Sequence, residues 1–233
     1  MNVKILGTKG EIEESAPWHT KQSGVLIDNK FLFDLGEEEY LEYNPEFVVF
    51  THLHPDHAFF VRRKNELNQK IEAYAPEKSD EADFVKVKNK PFSKKGYHFT
   101  PIPTIHSLKV KSQAYIVEKD GTRLLYTGDL AWMKKEYQKE LGKLDMVITE
   151  GSFVQKGGMI RRDKESGKIF GHTGIPDLIR IFSEHTSHIV LTHFGSWFME
   201  DVEAARKKIN EFVPQNVTVT VARDGQEFEV YKA

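Results

Sequence analysis

His52, His54, Asp56 and His57 fall within six positions, in the run Thr51-His52-Leu53-His54-Pro55-Asp56-His57. Three imidazoles and a carboxylate this close make metal binding the first reading. Imidazole suits zinc, iron, copper and nickel, and a carboxylate adds a hard anionic oxygen that can bridge two ions. A histidine-rich surface turn would need neither Asp56 nor the segment that feeds the run. That segment, Phe47-Val48-Val49-Phe50, is apolar, aromatic and β-branched, and Asn44-Pro45 bounds it upstream. It reads as a buried strand. The cluster therefore sits just past a strand's C-terminal end, where open α/β sheets build their sites.

The same pattern recurs. His106 follows Pro103-Thr104-Ile105, Asp129 follows Leu124-Leu125-Tyr126-Thr127-Gly128, Glu150 follows Val147-Ile148-Thr149, and His193 follows Ile189-Val190-Leu191-Thr192. Any one of these alone is an ordinary turn aspartate or satisfied histidine. Together, and with strands running in compatible directions, they would converge on one rim.

The elements that must position them are strands at 3–6, 24–27, 31–33, 47–50, 71–74, 84–87, 97–102, 114–118, 123–126, 146–149, 188–191, 217–222 and 227–231. Asp28-Asn29-Lys30 and Lys119-Asp120-Gly121-Thr122 supply hairpin turns. Helices are expected at 58–68, 133–141, 176–185 and 200–213, with Thr173 or Gly174 capping the third. The segment 154–169 reads as a mobile basic loop carrying Lys156, Arg161, Arg162, Lys164 and Lys168. Strand-rich halves with interleaved helices suggest two sheets covered by helices.

The 233 residues fit one domain, 1–233. A net charge of −2 excludes a strongly basic nucleic-acid footprint as the main feature. With no cysteine there is no disulfide framework, thiolate ligand or cysteine nucleophile. The first residues are too few and too mixed for a signal peptide, and no apolar run approaches the ~20 residues that span a bilayer. The expectation is a cytoplasmic protein with no membrane partner.

The order His52-Leu53-His54-Pro55-Asp56-His57, then His106, Asp129 and His193, resembles the metallo-β-lactamase fold superfamily over about residues 3 to 200. The resemblance implies an α/β (α+β) fold: an αββα four-layer sandwich of two mixed β-sheets flanked by helices. It implies two divalent metal ions, zinc first, with manganese or iron as alternatives. His52, His54 and His106 would hold one ion, Asp56, His57 and His193 the other, and Asp129 would bridge them. Asp56 would serve catalysis as well. Two such ions would acidify a bridging water to hydroxide near neutral pH and neutralise charge at the attacked centre. Thr51 and Thr192 are candidates to orient imidazole N–H groups.

Thr149-Glu150-Gly151-Ser152-Phe153 and Phe170-Gly171-His172-Thr173-Gly174 are similar to the ribonuclease Z and cyclic phosphodiesterase branch. By that similarity His172 would protonate the leaving alkoxide or hold a phosphate oxygen. Glu150 would orient His172, or join Arg161 and Arg162 in binding substrate. The helix start near Thr173 to Pro176 offers N–H groups for phosphate. The arm by which ribonuclease Z grips transfer RNA is absent between His106 and Asp129. The function implied is therefore a metal-dependent phosphodiesterase acting on a small or short phosphodiester, cyclic nucleotide-like or RNA-like. A lactone or thioester hydrolase, and a non-catalytic metal-binding member, are the alternatives. Trp18 and His19 could line the pocket, although a plain loop explains them as well. Ser196-Trp197-Phe198 offers an apolar pocket wall or a homodimer contact.

Overall fold

The computed structural model describes residues 1–62 and 71–232. In chain order the strands are β1 (Asn2–Gly7), β2 (Gly24–Ile27), β3 (Phe31–Phe33), β4 (Phe47–Val49), β5 (Glu72–Ala75), β6 (Val85–Val87), β7 (Phe92–Lys94), β8 (Tyr97–Thr104), β9 (Ser112–Lys119), β10 (Thr122–Tyr126), β11 (Met146–Gly151), β12 (Met159–Arg162), β13 (Ile169–His172), β14 (His188–Phe194), β15 (Thr218–Val221) and β16 (Glu227–Glu229). The α-helices are α1 (Lys135–Glu140), α2 (Ile175–Phe182), α3 (Ser196–Glu200) and α4 (Val202–Asn210). One seven-stranded sheet has the order β16-β1-β2-β3-β4-β5-β6, and a second has β15-β14-β11-β10-β9-β8-β7.

Both sheets are mixed. β3 to β6 run parallel beside an antiparallel half, and β10, β11, β14 and β15 run parallel beside the meander β7 to β10. Strand alternation divides each sheet between two cores. In β10, Leu124 and Tyr126 face the inter-sheet core, while Leu125 joins the core beneath the helices. In β4, Phe47 and Val49 face inward and Val48 faces the outer layer. The four layers are those of the expected αββα sandwich. The helical layer over the first sheet differs from a run of α-helices: among the described residues it consists of two short 3-10 helices, Glu38–Tyr43 and Phe59–Val61. Of the helix expected at 58–68, positions 63–68 lie outside the described residues.

Three other expectations shift. The expected loop over 154–169 contains β12, and with β13 it forms a two-stranded antiparallel ribbon. β7 pairs with β8 through a turn at Lys95 and Gly96, both at positive φ. The helix expected at 200–213 begins earlier and breaks at Asp201, whose extended backbone (φ −154°) lets its carboxylate cap α4 at the Ala204 N–H. The expected hairpin turn over Asp28-Asn29-Lys30 forms, with Asp28 and Asn29 at positive φ and the Lys30 N–H donating to the Ile27 carbonyl. Among the described residues no helix is long and apolar enough to cross a membrane.

Direction matters most for the site. β10, β11 and β14 are adjacent and parallel, and β8 runs the same way as β10 because β9 is antiparallel to both. His106, Asp129, Glu150 and His193 therefore leave the second sheet at one edge. β4 delivers His52 to His57 from the first sheet.

The inter-sheet core is aromatic. Phe99 is fully buried, stacks on Phe92 at 4.8 Å and meets Phe31 edge-on at 5.2 Å. Phe99→Ala should lower unfolding free energy by about 3–5 kcal/mol in urea titration, the usual cost of emptying a large aromatic site.

Candidate metal centre

The run after β4 and the second sheet's edge close on each other. His52, His54, His106 and Asp129 present ligand atoms within 4.8 Å of one another, and so do Asp56, His57, Asp129 and His193. Asp129 belongs to both groups. His193 Nε2 lies 2.9 Å from Asp56 Oδ2 and 3.3 Å from Asp129 Oδ1, while His57 Nε2 is 3.2 Å from Asp129 Oδ1.

Four rings are oriented from behind. His52 Nδ1 donates to Thr51 Oγ1 (3.1 Å), His57 Nδ1 to Asp34 Oδ2 (2.7 Å), His106 Nδ1 to the Gly171 carbonyl (3.0 Å) and His193 Nδ1 to Ser152 Oγ (3.0 Å). Each Nε2 is thereby turned inward, where a cation would displace any proton and take its lone pair. His54 presents Nδ1 instead, 3.1 Å from His106 Nε2. Two buried atoms, His52 Nε2 and Asp129 Oδ1, have no hydrogen-bond partner. Unsatisfied buried polar atoms are costly, and an ion would satisfy both. The residues present therefore fit divalent metal binding.

Asp34 is the residue that sequence reasoning missed. It is fully buried and accepts from the Thr51 N–H (2.7 Å), Thr51 Oγ1 (2.9 Å), His57 Nδ1 (2.7 Å) and the Tyr126 hydroxyl (2.9 Å). The signal was present in Phe31-Leu32-Phe33-Asp34, a polar residue after an apolar strand like the others. Of the two threonines considered, Thr51 orients a ligand, whereas Thr192 donates to the Gly7 carbonyl and Ser152 orients His193.

Electrostatics divide the cluster. Burial and the neighbouring imidazoles hold His52 well below its ordinary pKa, and burial followed by His106 lowers His54 to about 4. Burial opposes protonation of His57 and His193 as well, but Asp129 and Asp56 outweigh it and raise both, with Asp34 adding to His57.

His172 stands beside this centre. Its Nδ1 binds Glu150 Oε2 at 2.7 Å and lies 4.0 Å from Asp129 Oδ2. Burial works against its proton, but Glu150, then Asp129 and Asp56, raise it to about 9. Glu150 is buried with its other oxygen on the Leu130 N–H (2.6 Å). Both oxygens are thus engaged within the protein, so the geometry has it orienting His172 rather than contacting substrate. A cavity of about 600 Å³ opens over the cluster, lined also by Phe153, Met159 and Trp197. Arg161 and Arg162 do not line it. Arg161 folds onto the Met159 sulfur (3.5 Å) and Arg162 onto the Gly167 carbonyl (2.5 Å), out on the ribbon. Trp18 is 66% exposed and lines other surface hollows, and His19 is buried against Phe194 and Phe198. Neither reaches the cavity.

Residues 41–194 match the family described as Beta-lactamase superfamily domain. The chain belongs to the beta-lactamase superfamily. The metallo-beta-lactamase fold protein YhfI from Bacillus subtilis superposes with a TM-score of 0.70 at 17% identity, over 97% of this chain and 98% of that one. A diphosphatase from the PhnP family gives 0.67 at 16% identity, over 99% and 98%. The short form of human tRNase Z gives 0.63 at 19% identity, over 99% and 100%. At such identities the likeness is one of fold. No curated protein matches the chain. With the histidine–aspartate cluster in place, the protein is a metal-dependent hydrolase of this superfamily.

Two outcomes test this centre. Asp34→Asn keeps the shape but removes the charge behind His57; metal affinity, read by chelator competition, should fall about 10- to 100-fold. Because His57 and His193 hold protons above the ordinary range in the apoprotein, loading with Zn²⁺ near pH 7 should release protons. Affinity should then rise with pH, and calorimetry in buffers of different ionisation enthalpy would reveal both effects.

Proposed function

We propose that the protein hydrolyses a small or short phosphodiester, cyclic nucleotide-like or RNA-like, using two divalent ions of which zinc is the first candidate. One observation carries this reading. His172 is held by Glu150 at the edge of the ligand cluster, 4.0 Å from Asp129, and faces the cavity. An alkoxide leaving from phosphorus is a poor leaving group, and a fixed proton donor at the metal edge is what its departure requires.

When bound, divalent ions would supply Lewis acidity toward the phosphoryl oxygens and an acidified water. His52, His54 and His106 would hold one ion, Asp56, His57 and His193 the other, and Asp129 both. The remaining steps fall to side chains. With Nδ1 committed to Glu150, His172 has Nε2 left to deliver a proton to the departing oxygen. Glu150 stabilises the imidazolium beforehand and keeps the ring from turning. Asp56, buried in the cluster and 2.9 Å from His193, would serve the reaction from within the ligand set. The presence of a diphosphatase and a tRNase Z among proteins of this fold supports the same class of chemistry.

Bis-p-nitrophenyl phosphate should be hydrolysed by protein reconstituted with Mn²⁺ or Zn²⁺. Because nitrophenolate leaves unprotonated, His172→Ala should lower kcat by about 10²- to 10⁴-fold for a diester with an alkoxide leaving group, such as a cyclic nucleotide, and much less for the nitrophenyl diester. Cleavage of a lactone or thioester with the diester left intact would move the reaction to carboxyl derivatives.

A further inference from the structure

The cavity divides by chemistry. Its floor is the ligand cluster and His172, while Ile12, Phe153, Met159 and Trp197 stand around it. Among the described residues, no lysine or arginine lines it. Among the polar lining side chains, Glu11 is paired with Arg62 at 2.5 Å, Ser196 donates to Glu14, and Gln155 donates to Gly158. Away from the floor, a second anionic group would meet no cationic side chain among the described lining residues, since Arg62, which does not line the cavity, is already paired with Glu11.

The apolar walls are built in place. The Phe153 ring lies 5.8 Å from that of His172. Met159 is directly opposite His172 in the β12–β13 ribbon, so the two side chains share a face. Trp197 is pinned by its indole N–H to the Ser152 carbonyl (2.9 Å), and the Ser152 hydroxyl holds His193. Ile12 follows Gly10, which donates to the Phe194 carbonyl and lies so close to His193 that a Cβ there would come within 3.0 Å of the ring.

We infer that the organic group this site accepts beside the phosphorus is uncharged and apolar, an aromatic or bulky alkyl group packed against Phe153, Met159, Ile12 and Trp197. The substrate class is then a singly charged diester whose only anion sits at the metals. The inference rests on the phosphodiester reading for its reaction but on the cavity for its specificity. Walls already fixed in the free protein favour a matching apolar group without ordering cost.

Binding to the zinc-loaded protein separates the two. Phenylphosphonate should bind at least about tenfold more tightly than methylphosphonate by calorimetry, with a more negative heat-capacity change. That ratio should fall toward one in Phe153→Ala and in Trp197→Ala, checked for unchanged zinc content and circular dichroism. Equal affinities in the wild type, or a ratio unmoved in both variants, would overturn the inference. If the ranking holds while bis-p-nitrophenyl phosphate is not hydrolysed, the apolar pocket stands and the reaction assigned to it falls.

Discussion

The arrangement hangs on one buried carboxylate. Asp34 leaves β3 of the first sheet at a positive φ of 58° and accepts from Thr51 and His57 of the histidine run and from Tyr126 of the second sheet. A lone buried anion is expensive, and only this number of donors makes it tolerable. The same bonds set the distance between the sheets at the site and turn His57 toward its partners. Through Thr51, whose hydroxyl donates to Asp34 and accepts from His52, one charge orients a ligand in each of the two groups, His52 and His57.

Around that anchor, chain direction does the assembling. The parallel strands β10, β11 and β14 of the second sheet end at the same edge, so each contributes one polar side chain there without a long loop. Close approach requires small residues. Gly128, at φ +56°, passes Thr51 where a Cβ would lie 2.4 Å from the hydroxyl, and this lets Asp129 reach the cluster from the opposite sheet. His193 adopts a positive φ of 54°, strain of the kind held only where surrounding contacts determine the geometry.

The site's two halves differ in character. Its floor is charged, with the rings of His52, His57, His106 and His193 held from behind, as a cation site needs. Its walls are mainly apolar, and among the described residues they carry no cation. Charge recognition is therefore concentrated at the metal ligands and His172, and shape recognition is left to the walls. The basic residues of the ribbon point their hydrogen bonds along the ribbon itself, which keeps them out of the cavity.

Much of this was legible along the chain. The run His52 to His57 is set by covalent spacing after an apolar strand, and local sequence suffices to mark it. The polar residues at 106, 129, 150 and 193 follow β-branched or apolar strands in the same way, so their convergence on one rim could be expected from the sequence, while the αββα fold and the assignment of ligands came from the resemblance to the metallo-β-lactamase fold superfamily. Asp34 escaped because a single aspartate after a short strand resembles any turn until Tyr126 and His57 are seen beside it. The ribbon over 159–172 escaped because its polar, glycine-broken strands lack the apolar alternation that burial imposes. Only the tertiary structure decided which atoms meet. His193 and Asp56, 137 residues apart, are brought to 2.9 Å by strand order and direction. Which nitrogen of each histidine faces the centre depends on partners such as Gly171 and Ser152, and those contacts exist only once the sheets have packed.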